Sequence, residues 1–311
     1  MSSVEHYRQA ATRANTRRSY QAAIEHFEVA WGGFLPATAD SIARYLADHA
    51  QTLALNTLKL RLAALARWHQ EQGFPDPTKA PLVRQVLKGI RECHPALEKR
   101  ANPLQLDALR ALVEWLTRQE ANPQQRLRAT RDRALVLLGF WRGFRGDELT
   151  RLRVEQIQVF PGEGLVLYLP RSKTDRSSQG REYRVPALNQ LCPVAAYQDW
   201  QTLSGLTDGP VFRGIDRWGH LAESALNPQS IVPLLRALLT SADVADAHQY
   251  TCHSLRRGFA SWAGSNGWDV QALMEYVGWK DIKSALRYIE RADPFARGRI
   301  EAALPPASGG E

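Results

Sequence analysis

The segment that decides the fold lies in the last quarter of the chain and reads His253-Ser254-Leu255-Arg256, followed by Gly278-Trp279 and Tyr288. An α-helix repeats every 3.6 residues, so His253 and Arg256 are predicted to share one face of a helix. This spacing would place an imidazole, which transfers protons near neutral pH, beside a guanidinium, which binds phosphate through two parallel hydrogen bonds. Because four-residue patterns arise by chance, the pattern needs support from other segments of the chain.

A second segment of similar chemistry is Gly143-Phe144-Arg145-Gly146-Asp147-Glu148, which follows an apolar helical pattern over residues 134–141. Glycine adopts backbone conformations that end a helix, so the glycines at 143 and 146 are predicted to turn the chain sharply. Arg145 would then project from a tight turn, and Glu148 would orient a basic neighbour. The alternative for Glu148 is an ordinary surface ion pair.

A β-hairpin is predicted between these two segments. Residues 165–169 and 183–186 have the composition of strands. Between them lies the basic stretch Arg171-Ser172-Lys173-Thr174-Asp175-Arg176, with Lys173 near the mouth of the hairpin. Lysines in hairpin loops are usually solvated, so Arg171 and Arg176 remain rivals for any role given to Lys173.

The order Arg145, Glu148, hairpin Lys173, H-x-x-R, Gly-Trp and Tyr288 resembles the tyrosine recombinases, also called the phage integrase family. The resemblance covers most of the chain. Most members have a histidine after the glycine, whereas Trp279 resembles the Cre branch. An indole N–H can still donate to a phosphate oxygen, and its ring can support the helix that carries the tyrosine.

The resemblance implies an enzyme that cuts and rejoins DNA strands without metal or ATP. Tyr288 would be the nucleophile and form a 3′-phosphotyrosine link, which is covalent catalysis. Arg145 and Arg256 would neutralise the non-bridging oxygens of the phosphate. His253 would accept the tyrosine proton, and Lys173 would protonate the leaving oxygen. Strands would be exchanged in pairs through a Holliday junction, with a homodimer on inverted half-sites and a homotetramer in the synapse.

The charge of the chain also favours a nucleic-acid partner. The net charge is +8 and the isoelectric point is about 9.6. A positive surplus rich in arginine suits a polyanion, although a merely basic soluble protein is the alternative. The predicted contacts to DNA phosphates are Lys59, Arg61, Arg171, Arg176, Lys280 and Lys283.

Several other functional classes are not indicated. Cys93, Cys192 and Cys252 are scattered and form no C-x-x-C pair, so neither a zinc site nor a disulfide framework is predicted. No cofactor is expected, because the chain has no phosphate-binding glycine loop and no carboxylate cluster typical of two-metal nucleases. The polar start and the lack of a long apolar run predict no membrane association and a cytoplasmic protein. The family resemblance implies a prokaryotic, phage or plasmid context.

The predicted fold is mainly α with a small antiparallel β-sheet. Residues 1–95 read as a helical domain, which is similar to the SAM-like core-binding domain of the family. Residues 96–103 read as a linker, 104–304 as the catalytic domain and 305–311 as a disordered tail. Helix starts are predicted at Asn15-Thr16, Thr38, Thr57, Pro81 and Asn102-Pro103.

Three other activities remain open. A type IB topoisomerase uses the same chemistry but relaxes supercoiled DNA without a defined site. A catalytically inactive relative would bind DNA and form no covalent product. A phosphotransferase for small molecules would leave the basic N-terminal helical domain without a role.

Overall fold

The structure, a computed structural model, describes residues 7, 11–95, 101–170, 180–279, 281–282 and 285–286. It consists of two compact units, Met1–Lys99 and Arg100–Glu311, each with an apolar core of its own. The described residues are mostly helical and include a small antiparallel sheet, so the predicted fold class is confirmed. Within these ranges no helix is both long and apolar enough to cross a membrane.

The N-terminal unit is helical throughout its described elements. These are α1 (Ala14–Glu25), a π-helical turn (His26–Ala30), α2 (Ala39–Asp48), α3 (Leu55–Glu71), a 3-10 turn (Pro77–Lys79) and α4 (Pro81–Cys93). Helix α1 packs against α3, and α2 packs against α4. Phe27, Tyr45, Leu58 and Leu65 are fully buried between them and form the centre of this core.

Of the four predicted helix starts in this unit, those at Thr38 and Pro81 are confirmed. The helix predicted from about Thr57 begins at Leu55, and the start predicted at Asn15-Thr16 is wrong. Thr38 caps α2, because its Oγ1 accepts a hydrogen bond from the Ser41 N–H at 3.1 Å. Helix α4 begins at Pro81, as expected for a residue that lacks an N–H. The predicted cap at Asn15-Thr16 lies inside α1, which begins at Ala14. The N-cap residue of α1 is Arg13, and no side chain of the described residues caps this helix.

The C-terminal unit combines helices with two small sheets. Its elements are α5 (Leu106–Gln119), α6 (Pro123–Trp141), α7 (Gly146–Leu149), β1 (Ile157–Phe160), β2 (Gly164–Leu169), β3 (Arg181–Pro186), α8 (Pro193–Ser204), β4 (Arg213–Ile215), β5 (Leu221–Ala225), α9 (Ile231–Ser241), α10 (Cys252–Ser265) and α11 (Val270–Val277). The predicted start at Asn102-Pro103 is wrong, because α5 begins at Leu106 after an extended approach. That approach is held by the Leu104 N–H, which donates to the Ser254 carbonyl at 3.0 Å.

Helix α6 lies at the centre of this unit. Every residue from 134 to 141 is buried, and the helix packs against α5, α8 and α10. A helix that is apolar all round is typical of a protein interior. Because its C-terminal end is buried, the residues that follow it enter the interior of the unit instead of a surface loop.

The predicted hairpin is confirmed as β2 and β3 of a three-stranded antiparallel sheet. Leu165 pairs with Val185 and Leu167 pairs with Tyr183, and these four side chains face the core. The strands β4 and β5 form a second hairpin, which was not predicted. It is attached to α6 by Arg131, whose Nη1 donates to the Arg213 carbonyl at 3.1 Å.

Close packing around α10 leads to a prediction for Gly258. A Cβ atom at this position would lie 2.0 Å from the Leu104 carbonyl oxygen and 2.8 Å from Cε2 of Phe140. Gly258→Ala is therefore expected to lower the free energy of unfolding by about 1–3 kcal/mol, measured by thermal unfolding. The control is Gly89→Ala in α4, where nothing lies within 4 Å of the added carbon. Equal stability of the two variants would contradict the packing described.

Candidate active site

The turn between α6 and α7 depends on two glycines for different reasons. Gly143 has φ +60°, a conformation that favours glycine, and it ends α6 as predicted. Gly146 has an ordinary backbone conformation but lies against α10, because a Cβ there would be 2.8 Å from Sγ of Cys252. The first glycine therefore turns the chain, and the second allows α7 and α10 to approach closely.

Arg145 and Glu148 form a partly buried unit at the start of α7. One carboxylate oxygen of Glu148 accepts from the Arg145 backbone N–H at 2.8 Å, and the other accepts from Arg145 Nη1 at 2.8 Å. Glu148 is only 2% exposed, so the alternative of a surface ion pair is wrong. The prediction that Glu148 orients a basic neighbour matches this geometry.

Arg256 on α10 lies near the same carboxylate. It is 4% exposed, and its Nη1 donates to the Gly143 carbonyl at 2.6 Å. The same nitrogen lies 4.0 Å from Oε2 of Glu148. Two arginines that are far apart in the sequence therefore converge on one buried glutamate.

Trp279 covers Arg256 at the end of α11. Gly278 has φ +78°, and its N–H and that of Trp279 donate to the Met274 carbonyl at 2.8 and 2.9 Å. This turn brings the Trp279 ring to 5.1 Å from Cζ of Arg256, within the range of a cation–π contact. The predicted Gly-Trp pair is thus adjacent to the arginine–glutamate cluster.

His253 lies in the first turn of α10, as the helical pattern predicts. Its N–H donates to Oγ1 of Thr251 at 3.1 Å, and Oγ of Ser254 accepts from the Thr251 N–H at 2.9 Å. This reciprocal capping fixes the start of the helix. The two residues of the H-x-x-R pattern differ in environment, because His253 is exposed while Arg256 is buried.

The structure also shows four residues near the cluster that the sequence patterns did not indicate. Arg142 is buried between the rings of Tyr276 and Tyr183, at 4.0 and 4.9 Å from its Cζ. Arg181 of β3 lies 5.4 Å from the Tyr183 ring. Burial raises the pKa of both tyrosines and lowers the pKa of Arg142. Charged residues are seldom buried, so no sequence signal marked Arg142 as an interior residue.

Of the remaining predicted site residues, two lie in the N-terminal unit and six lie outside the described residues. Lys59 is exposed on α3, whereas Nη1 of Arg61 donates to the Tyr45 hydroxyl at 2.5 Å within the N-terminal unit. Lys173, Tyr288, Arg171, Arg176, Lys280 and Lys283 lie outside the described residues. Within the described part of the chain, no group of three or more His, Cys, Asp or Glu side chains could hold a metal ion.

Comparisons with known proteins place the chain in a family. The model of the phage integrase family matches residues 121–294, more than half of the chain. An integrase/recombinase XerD homolog of Selenomonas ruminantium is 29% identical over 266 residues, which are 84% of this chain and 76% of that protein. The recombinase Cre of Escherichia phage P1 is 24% identical over 279 residues, 84% and 78% of the two chains.

Solved structures show the same fold. The XerH site-specific recombinase, in its post-cleavage complex with a palindromic difH substrate, has a TM-score of 0.63 at 17% identity, over 92% of this chain and 78% of that one. The family model, the curated relatives and the fold lead to one conclusion: this chain belongs to the phage integrase family, the tyrosine recombinases.

Proposed function

We propose that this chain is a site-specific DNA recombinase that cuts and rejoins strands through a 3′-phosphotyrosine intermediate at Tyr288. The observation that carries the proposal is the convergence of Arg145 and Arg256 on the buried carboxylate of Glu148. A DNA phosphodiester carries a negative charge, and attack by an oxygen nucleophile increases that charge in the transition state. Guanidinium groups that are already in place stabilise the added charge without reorganisation.

Glu148 is assigned to hold the arginines and not the substrate. Its oxygens accept two hydrogen bonds from Arg145, so they are already occupied on that side. One carboxylate between two guanidinium groups leaves the cluster net positive, which suits a phosphate. Because Glu148 and Arg256 are shielded from water, these charges interact more strongly than they would at the surface.

The proton transfers are assigned to residues around this cluster. A tyrosine hydroxyl has an ordinary pKa near 10 and must lose its proton to attack phosphorus. We assign this proton to His253, one helical turn before Arg256 on α10. Lys173 is assigned as the acid that protonates the departing deoxyribose oxygen, and Trp279 is assigned to the position that the family resemblance gives to a histidine.

We further propose how the protein engages DNA. Residues 1–95 and 104–304 would form the two DNA-binding domains of a clamp, joined by the linker 96–103. Two protomers would occupy inverted half-sites, and four would form the synapse in which strands are exchanged through a Holliday junction. The palindromic substrate named for the XerH complex supports the paired half-sites, and the net charge of +8 supports contacts to DNA. Lys59, exposed on α3, remains a proposed phosphate contact.

A covalent-trapping assay tests this function. DNA sites that the protein binds would first be selected from a random duplex library, so that every later substrate contains a bound site. Nicked versions would then be incubated with the protein in the absence of metal and ATP and separated on denaturing gels. A shifted band that protease removes is the expected result.

Two other outcomes would contradict the proposal. Binding on native gels without a covalent product at any nick position would indicate a DNA-binding protein without cleavage activity. Relaxation of supercoiled plasmids that lack the selected site would indicate a topoisomerase.

A further inference from the structure

Arg142 is a buried arginine beside the cluster of Arg145, Glu148 and Arg256. It follows the last residue of α6 and is 4% exposed. Its Nε and Nη1 make no hydrogen bond within the described ranges, and no carboxylate there forms an ion pair with it. A buried charge without a carboxylate partner costs folding free energy. Stability alone therefore does not explain an arginine at this position.

The guanidinium group is instead held by aromatic rings. Its Cζ lies 4.0 Å from the ring centre of Tyr276 and 4.9 Å from that of Tyr183. The Tyr276 ring in turn stacks on Phe259 of α10, with centroids 5.1 Å apart and planes 28° apart. A planar guanidinium between flat rings has a defined position, and the stack joins the ends of α6 and α11 to β3.

A second arginine holds the same end of α11. Nη2 of Arg181 donates to the Glu275 carbonyl at 2.6 Å, near the negative end of the helix dipole. A Cβ at Gly278 would lie 2.6 Å from Nη1 of Arg181, so a larger residue there would displace this guanidinium. The segment that carries Gly278 and Trp279 is therefore held by arginines from two different elements.

Both supports of Arg256 are attached to this stack. Gly143, whose carbonyl accepts from Arg256 Nη1, is the residue after Arg142. Trp279, whose ring covers the Arg256 guanidinium, is three residues after Tyr276. A shift of Arg142 against Tyr276 would therefore move two groups that determine where Arg256 lies.

We propose that Arg142 is a positioning residue: by stacking on Tyr276 and Tyr183 it fixes Gly143 and Trp279, and thereby sets the place of the Arg256 guanidinium against the scissile phosphate. This inference rests on the proposed function. Arg142 acts through Arg256 and not on the phosphate itself. Misplacement of a catalytic group by about 1 Å can slow a reaction by about 10²-fold.

The first test is Arg142→Met, which keeps a long side chain but removes the positive charge and the planar guanidinium group. Covalent-complex formation is expected to slow by about 10²-fold, with DNA affinity unchanged and the thermal midpoint equal or higher, since an unpaired buried charge is lost. The matched control is Arg133→Met on the same helix, where the guanidinium pairs with Glu120 and Asp199. That variant is expected to lose stability and to cleave at the wild-type rate.

A double-mutant cycle separates positioning from a general structural role. In an Arg256→Lys background, Arg142→Met is expected to have little further effect, because the group that it positions has already been changed. An equal loss in both backgrounds would overturn the inference. Tyr276→Leu is expected to slow cleavage as Arg142→Met does. Tyr276→Phe retains the ring, so this variant is expected to cleave at the wild-type rate.

The test also distinguishes this inference from the function on which it rests. If the wild-type protein forms no covalent product, the proposed function fails. If the wild-type protein and Arg142→Met form the product at the same rate, only the role of Arg142 fails.

Discussion

A Tyr288→Phe protein is expected to bind its DNA site with wild-type affinity and to form no covalent complex with it. The substitution removes one hydroxyl oxygen and leaves the ring, so binding has no reason to change. Cleavage is expected to fall by about 10⁴-fold or more, because loss of a nucleophile leaves only the residual contributions of the site. Single-turnover trapping on nicked duplexes measures the rate, and native gels measure binding.

Tyr197→Phe is the matched control for this experiment. Tyr197 is fully buried on α8, and its hydroxyl has no hydrogen-bond partner within the described residues. Burial raises the pKa of Tyr197 to about 12, so its hydroxyl stays protonated at neutral pH. The control is expected to cleave normally. A covalent product that survives in Tyr288→Phe would show that another residue attacks the phosphate.

Arg256→Ala is expected to slow cleavage by about 10²–10³-fold while most DNA affinity remains, because it removes a preorganised donor to the transition state. Arg256→Lys is expected to lie between the alanine variant and the wild type, since lysine retains the charge but not the planar fork. Rates of covalent-complex formation at saturating protein concentration, together with native-gel affinities, test this expectation. Equal losses of affinity and cleavage would make Arg256 an ordinary DNA contact.

The alanine variant also needs a control for stability. Arg256→Ala removes one of the two guanidinium groups near the Glu148 carboxylate and leaves the Gly143 carbonyl without its donor, so the folded state is expected to be less stable. Arg131→Ala provides the comparison, because Arg131 is equally buried and pairs with Asp132 at 2.6 Å. Its loss is expected to lower the thermal midpoint without slowing cleavage by the folded protein.

The helical frame and the Arg145–Glu148 pair were accessible from the sequence for physical reasons. Apolar periodicity marked α3, and the special residue types Thr38 and Pro81 marked the starts of α2 and α4. The spacing of Arg145 and Glu148 by three residues predicts contact within a single turn. Such local rules do not depend on how the chain folds back on itself.

The features that escaped prediction are those that depend on distant contacts. Arg142 reads as a surface charge in the sequence, and only the approach of Tyr183 and Tyr276 makes its burial possible. The short strands β4 and β5 were missed because their pairing is irregular and β4 is attached to α6 through its backbone. In the first turn of α4 Leu82 is 42% exposed, whereas its neighbour Val83 is buried.

The most direct test of the account is to identify the residue that carries the DNA in the trapped complex. The complex would be digested with trypsin and nuclease, and the peptide that retains a nucleotide would be sequenced by mass spectrometry. Trypsin cleaves after Arg287 and after Arg291, so the expected peptide is residues 288–291. We predict a nucleotide joined through its 3′ phosphate to Tyr288. A nucleotide on any other residue, or one joined through a 5′ phosphate, would contradict the proposed mechanism.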